Sequence, residues 1–210
     1  MKINKFAVVI FLFFTLGINL YAQNQLAKLL EGNKRFVEGK PLHPNQSAAR
    51  RTEVASGQKP FAVILTCSDS RVPPEIIFDQ GLGDLFVIRT AGHVVDDMAL
   101  ASIEYAVEHL HAGLIVVLGH EKCGAVDAAV GGGELTGHLE KLIAEIEPAV
   151  EKAKKEKGDL LTNAVHKNVD LVVSRLKSSE PVLKEFVHHN ELQIIGAYYD
   201  LDEGVVTMMK

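Results

Sequence analysis

The sequence is short of cysteine, tryptophan and positive charge. It has 2 cysteines and no tryptophan in 210 residues, and its 27 acidic residues outnumber the 22 basic ones. The two cysteines stand far apart and form no C-x-x-C, which argues against a redox disulfide motif. No basic patch is evident, so no nucleic-acid partner is expected, because that binding depends on Lys and Arg neutralising phosphates. No internal repeat or long linker divides the chain, which favours one domain around a sizeable core.

A hydrophobic run long enough for a comfortable membrane span is also missing. Two lysines precede an apolar stretch from Phe6 to Leu16, and the small residue Ala22 follows. A span needs about 20 apolar residues, whereas this order of features is typical of a secretory signal peptide. We therefore expect residues 1–22 to be a signal peptide cleaved near Ala22, with an uncleaved anchor as the alternative. Residues 23–210 then form a single mature domain, periplasmic or secreted, with no stable membrane anchor. Cleavage removes two lysines and no acids, so the net charge falls from −5 to −7.

Short runs rich in Val, Ile and Leu alternate with helical patterns through the rest of the chain. Such runs are typical of strands buried on both faces of a parallel sheet, and helical spacing of apolar residues separates most of them. The predicted fold class is α/β, with a mainly parallel central sheet of four to five strands flanked by helices and with an amino-terminal helical arm. The predicted strands are 61–66, 85–90, 114–118 and 192–198, with an edge strand at 205–209; the predicted helices are 24–38, 97–109 and two or three within 137–189, and 39–47 is an extended arm.

Reactive side chains follow two of these strands. Cys67, Asp69 and Arg71 come directly after the first apolar run, and His120 and Cys123 come directly after the third. In open α/β sheets, ligands bind outside the carboxyl ends of the strands. Thiolate and imidazole are preferred zinc ligands and carboxylate is also accepted, so we predict a Zn²⁺ site formed by Cys67, His120 and Cys123, with Asp69 available as a fourth ligand. The alternative is that two small buried thiols pack as hydrophobes beside an unrelated histidine.

The pattern C-x-D-x-R, with H-x-x-C further along the chain, resembles the β-class carbonic anhydrases. The resemblance extends to Gly83–Arg89, Ile103–Val107 and Gly196–Asp200, and it covers nearly everything from about Gln25 onward. It implies a zinc-dependent enzyme that reversibly hydrates carbon dioxide to bicarbonate and a proton. It also implies a homodimer or tetramer in which the amino-terminal helix packs on the partner subunit.

Asp69 and Arg71 stand two residues apart, a spacing that places side chains on the same side of an extended segment. The carboxylate and the guanidinium can therefore pair. In the family, the counterpart of Asp69 either binds zinc and closes the site, or pairs with the counterpart of Arg71 and accepts a hydrogen bond from the nucleophile. The resemblance thus gives Asp69 and Arg71 catalytic roles. Family members regulated by a non-catalytic bicarbonate site use a tryptophan there, which this chain lacks, so we predict an open site with Asp69 on Arg71.

The resemblance further implies a substrate cleft beside the metal. The counterpart of Gln58 donates to bicarbonate, those of Phe86 and Tyr105 line an apolar wall suited to carbon dioxide, and Gly124 lets the backbone approach the metal. His93 follows the second strand and is predicted to relay protons to buffer, because histidine titrates near neutrality. Two other functions stay open here. One is hydrolysis of carbon disulfide or carbonyl sulfide at the same site, and the other is a non-catalytic zinc protein, whose metal would have four protein ligands.

Overall fold

The computed structural model describes residues 22–133 and 136–209, and a five-stranded sheet lies at its centre. The strands are β1 (Ala62–Cys67), β2 (Leu85–Thr90), β3 (Leu114–His120), β4 (Gln193–Tyr199) and β5 (Val206–Met208). They stand in the order β2-β1-β3-β4-β5. Strands β1 to β4 are parallel and β5 runs antiparallel to β4, which confirms the predicted mainly parallel sheet. The proposed signal peptide lies outside the described residues, apart from Ala22.

Helices cover both faces of this sheet. They are α1 (22–37), α2 (Ala48–Glu53), α3 (Pro74–Ile77), α4 (Asp97–Glu108), α5 (Gly124–Gly131), α6 (Leu139–Ala153), α7 (Leu160–Ser178) and α8 (Val182–His188). Ala62 and Ile64 of β1 belong to one apolar cluster, with α5 and α6, whereas Val63 and Leu65 belong to another, with α4 and α8. Successive side chains of a strand point to opposite faces, so the two clusters are the two sides of an α/β fold. Among the described residues, no helix combines the length and apolarity that crossing a bilayer requires.

Strands β1 and β3 run further than their apolar runs alone predict. The predicted ends were residues 66 and 118, but pairing continues to Cys67, opposite the last residue of β2, and to His120, opposite the last residue of β4. Pairing with a neighbouring strand therefore reaches both residues. As a result, two predicted metal ligands are fixed by the sheet itself rather than by a loop.

The predicted amino-terminal arm is present and docks on its own chain through buried polar groups. The Asn33 side chain of α1 accepts from the backbone N–H of Val206 at 2.9 Å and so connects α1 to β5. Asp79, only 2% exposed, pairs with Arg35 of α1 at 2.6 Å and also accepts from two backbone N–H groups of the segment after α1. Burial alone would raise the pKa of Asp79, but these donors hold it below its usual value. The carboxylate therefore stays charged and anchors the arm.

Candidate metal centre

Three buried side chains meet at the carboxyl edge of the sheet. Cys67 ends β1, His120 ends β3, and Cys123 stands directly before α5. One ligand atom from each lies within 4.8 Å of the others, and the two Sγ atoms are 4.0 Å apart. Two sulfurs bound tetrahedrally at about 2.3 Å from one zinc ion lie a little under 4 Å apart. The structure thus brings together the three predicted ligands at a spacing that fits Zn²⁺.

The His120 ring is oriented for metal binding. Its Nδ1 lies 2.8 Å from the backbone carbonyl oxygen of Glu121, and a carbonyl only accepts, so Nδ1 carries the hydrogen. Nε2 is then left with its lone pair. It is buried and has no hydrogen-bond partner among the described residues. A buried acceptor without a partner is costly, and coordination to a metal removes that cost, so the ring fits the zinc ion that the two thiols imply.

The protein environment favours a thiolate at this position. The pKa of Cys67 is lowered mainly because the Cys123 thiol donates to it, with a further contribution from the N–H of Gly92, which lies 3.3 Å from Cys67 Sγ. The pKa of Cys123 is raised because its proton is held against Cys67 and because it is buried. The two shifts together favour a thiolate at Cys67 and a protonated thiol at Cys123. To hold a zinc ion together with Cys67, Cys123 would also have to lose its proton, since thiols bind metal in their deprotonated form.

Asp69 and Arg71 form a bidentate pair next to these ligands. Arg71 Nε and Nη2 donate to the two Asp69 carboxylate oxygens at 2.9 and 2.7 Å, and the Arg71 backbone N–H adds a bond of 2.9 Å. These bonds hold the pKa of Asp69 well below its usual range. The same carboxylate lies 3.9 Å from His120 Nε2. The structure therefore places Asp69 on Arg71, as the open-site prediction requires, and also beside the metal-binding atom.

The predicted substrate-binding residues are not all brought to this centre within one chain. Phe86 of β2 pairs with Val63, four residues before Cys67, which separates their backbones by roughly 13 Å. Its ring lies 6.4 Å from that of Tyr105, which is 48% exposed. The strand register places Phe86 away from the metal ligands of its own chain, and Tyr105 packs beside Phe86. Gln58 is exposed in the loop before β1.

Gly124 does lie at the centre. It is the first residue of α5, immediately after Cys123, and a Cβ built on it would meet no atom within 4 Å. The space that a side chain would occupy at this position is therefore open.

His93 does not have the position that proton relay to buffer would need. Its side chain is completely buried, and burial lowers its pKa to about 4. Its Nε2 lies 3.0 Å from Asn168 Nδ2 of α7. An imidazole shielded from water cannot exchange protons directly with buffer, which contradicts the prediction made for it.

Two polar residues that the sequence interpretation missed support the centre from outside. Asn168 donates to the carbonyl oxygen of Gly92 at 2.8 Å, and so helps to fix the backbone that bonds Cys67 Sγ. Arg89 Nε donates to the carbonyl oxygen of Cys67 at 3.0 Å. Arg89 could have been suspected as a charged residue near the end of a strand inside a family motif. No local pattern marks Asn168.

A buried Cys–His–Cys triad beside an Asp–Arg pair, at the carboxyl edge of an α/β sheet, defines a zinc-dependent enzyme. Structural zinc sites usually have four protein ligands, whereas catalytic ones typically have three and leave a position for water or substrate. Cys67, His120 and Cys123 supply three, and Asp69 is engaged by Arg71.

Comparison with known proteins identifies the family. A family model described as "Carbonic anhydrase" matches residues 62–206. The chain is 46% identical over 180 residues to "Carbonic anhydrase 2" of Mycobacterium tuberculosis, covering 84% of this chain and 87% of that protein. It is also similar to the Coccomyxa β-carbonic anhydrase solved with acetazolamide (TM-score 0.71, 27% identity, 88% and 86% of the two chains). A tetrameric β-carbonic anhydrase of Sordaria macrospora gives a TM-score of 0.70 at 27% identity over 76% and 85%. The chain belongs to the β-class carbonic anhydrase family, and its activity is that of a carbonic anhydrase.

Zinc removal is expected to expose Cys67 and Cys123 to disulfide formation. Their Sγ atoms are 4.0 Å apart, and a disulfide needs about 2.05 Å, so the two sulfur atoms would have to approach by about 2 Å. With oxidised glutathione as oxidant, the two thiols would lose two protons and two electrons and the glutathione disulfide would be reduced. Thiol titration of chelated protein should then find both cysteines blocked, while zinc-loaded protein keeps them. Full recovery of activity by zinc alone, with both thiols still titratable, would show that the site cannot form the bond.

Proposed function

We propose that the protein hydrates carbon dioxide reversibly at an open zinc site held by Cys67, His120 and Cys123. The open state is inferred from the two hydrogen bonds that Arg71 donates to the Asp69 carboxylate. A zinc ion held by these three residues would supply hydroxide at neutral pH by lowering the pKa of water. The surrounding residues orient the reactants and balance the charge.

Asp69 is placed to orient the nucleophile. An ionised carboxylate only accepts hydrogen bonds, and Arg71 keeps this one ionised. Its oxygen near His120 can therefore accept the hydrogen of the attacking oxygen and leave a lone pair directed at the carbon of carbon dioxide. The Arg71 guanidinium also offsets part of the negative charge that two thiolates bring to the site. The absence of a side chain at Gly124 leaves open space beside the backbone next to Cys123, where substrate can approach.

Stopped-flow measurement of carbon dioxide hydration tests this function. We expect a rate that is present from pH 6.5 to 9 in zinc-loaded protein, is lost after chelation, and returns with zinc but not with magnesium. Acetazolamide, which is bound by the Coccomyxa relative, is expected to inhibit the zinc-dependent rate. No zinc-dependent rate anywhere in that range would refute the proposal.

We also propose a homodimer or tetramer in which a second copy completes the cleft. Phe86 and Tyr105 lie too far along the sheet to reach the metal of their own chain, yet Tyr105 is half exposed and β2 has one edge that no described strand covers. A second copy packed against this edge could bring these rings, and the exposed Gln58, to the metal centre of the neighbouring chain. The tetrameric Sordaria relative supports such an assembly.

Subunit complementation tests the shared cleft. Asp69→Asn damages the metal side of a site, and Tyr105→Ala damages the wall that a second copy supplies. After subunit exchange between the two variants, each mixed dimer has one intact site, so activity should rise above the mean of the two parents. Activity that stays at this mean would place Tyr105 in its own chain's site or outside the cleft. Sedimentation distinguishes two copies from four.

Export to the periplasm or the exterior is proposed from the amino-terminal pattern alone. When the full chain is expressed in a Gram-negative host, intact mass should show a mature protein that begins near Gln23. A full-length protein retained in the membrane fraction would favour an uncleaved anchor.

A further inference from the structure

Arg89 makes contacts that connect the edge strand to the loop of the metal centre. It is the second-to-last residue of β2 and stands opposite Thr66 of β1. Its Nε donates to the carbonyl oxygen of Cys67 at 3.0 Å, and its Nη2 donates to the carbonyl oxygen of Asp69. One guanidinium thus holds the backbone at a metal ligand and, two residues later, at the carboxylate that Arg71 binds.

The Asp69 carboxylate lies close to a second possible partner besides Arg71. Its Oδ2 is 2.7 Å from Arg71 Nη2 and only 3.9 Å from His120 Nε2, the atom that would bind zinc. The carboxylate therefore lies close both to the guanidinium and to the atom that would hold the metal. The backbone conformation at Asp69 therefore determines whether the carboxylate pairs with the Arg71 guanidinium or would bind the metal.

We propose that Arg89 is a positioning residue that keeps the site open by fixing the carbonyl groups of Cys67 and Asp69. This inference rests on the proposed open-site function. Fixing both carbonyl groups sets the direction of the Asp69 side chain towards Arg71. Without Arg89, the loop relaxes and the carboxylate becomes a fourth ligand of the metal.

Arginine is suited to this task. Its planar fork can satisfy two carbonyl groups at once, whereas the single ammonium group of lysine cannot hold the same fixed geometry. Strand pairing itself does not depend on the side chain, because the N–H of Ser68 still bonds the carbonyl oxygen of Thr90 at 3.1 Å. Removing the guanidinium should therefore free the carbonyl of Asp69 while β1 and β2 stay paired.

Azide binding to the cobalt-substituted protein tests the proposal through a readout other than activity. Azide changes the visible spectrum of cobalt only where it can enter the coordination sphere, so it reports an open position. Wild-type protein is expected to bind azide, and Arg89→Ala to bind it about tenfold or more weakly, since hydrogen bonds made by a charged group are worth about that factor. Arg89→Lys should fall between the two.

The decisive comparison uses the double variant Arg89→Ala/Asp69→Ala. With no carboxylate to close the site, its azide affinity should return to that of Asp69→Ala alone. Arg51→Ala, which removes an exposed arginine of α2, is the matched control and should behave as wild type. Circular dichroism checks folding, and Arg89→Lys serves if the alanine variant does not fold.

Three results would overturn the proposal. Wild-type affinity in Arg89→Ala, or in Arg89→Lys where that variant serves, would show that the site stays open without the guanidinium. A double variant as weak as Arg89→Ala would show that Asp69 is not what closes the site. Failure of wild-type cobalt protein to bind azide would show that the site is not open. These results do not depend on carbon dioxide hydration, so failure of the inference and failure of the proposed function are distinguishable.

Discussion

Replacing Cys123 with serine is expected to abolish activity together with zinc binding. Cys123 is one of three protein ligands, and it sits fully buried directly before α5. A serine hydroxyl does not ionise near neutral pH, so it cannot replace a thiolate. Loss of a group that merely supports a ligand costs about 10- to 100-fold in metal affinity or activity, and loss of the ligand itself should cost more. We expect zinc content well below one per chain and a hydration rate reduced at least about a thousandfold.

Metal analysis and stopped-flow kinetics on the same samples check this result. Circular dichroism separates loss of zinc from loss of the fold. A folded Cys123→Ser variant that keeps one zinc ion per chain and its activity would remove Cys123 from the metal centre.

Replacing Asp69 with asparagine is expected to lower kcat/KM by roughly a hundredfold while zinc content stays unchanged. The amide keeps the shape of the carboxylate but loses its charge and turns one acceptor into a donor, so it can neither hold Arg71 in the same way nor accept reliably from the nucleophile. Removing one oriented polar group from an active site costs about 10² to 10³ in rate. The matched control is Asp170→Asn on α7, whose carboxylate is about half exposed, and it should retain wild-type activity.

The zinc content and the activity of Asp69→Asn together distinguish an open site from a closed one. Retained zinc with lost activity means that Asp69 acts on the reactants and not on the metal. If Asp69→Asn loses zinc and activity together, Asp69 is a fourth ligand and the resting site is closed.

The sequence was sufficient for the sheet and for the three metal ligands. Buried strands leave continuous apolar runs, and the ligands stand directly after two of them, so both could be located without tertiary information. The exact ends of the strands could not be located from the sequence. Cys67 and His120 continue β1 and β3 because β2 and β4 supply backbone partners there, and no property of these two side chains signals that pairing.

Features that depend on contacts distant in sequence were missed or misplaced. Helix α2 follows the predicted extended arm and begins at Ala48. The side chain of the preceding residue, Ser47, accepts from the N–H of Arg50, and the sequence interpretation missed this local cap. His93 looks like an accessible histidine after a strand, but α7 places Asn168 against it. Phe86 and Tyr105 match family positions, yet only the strand register reveals that they lie away from the metal ligands of their own chain.

A crystal structure of the zinc-loaded protein near neutral pH, with anomalous data at the zinc edge, tests the central claim most directly. The account predicts one anomalous peak bound by Cys67 Sγ, His120 Nε2 and Cys123 Sγ, a fourth ligand that does not come from the protein, and Asp69 still paired with Arg71. An Asp69 oxygen at about 2.0 Å from the metal, or a peak away from the triad, would contradict it.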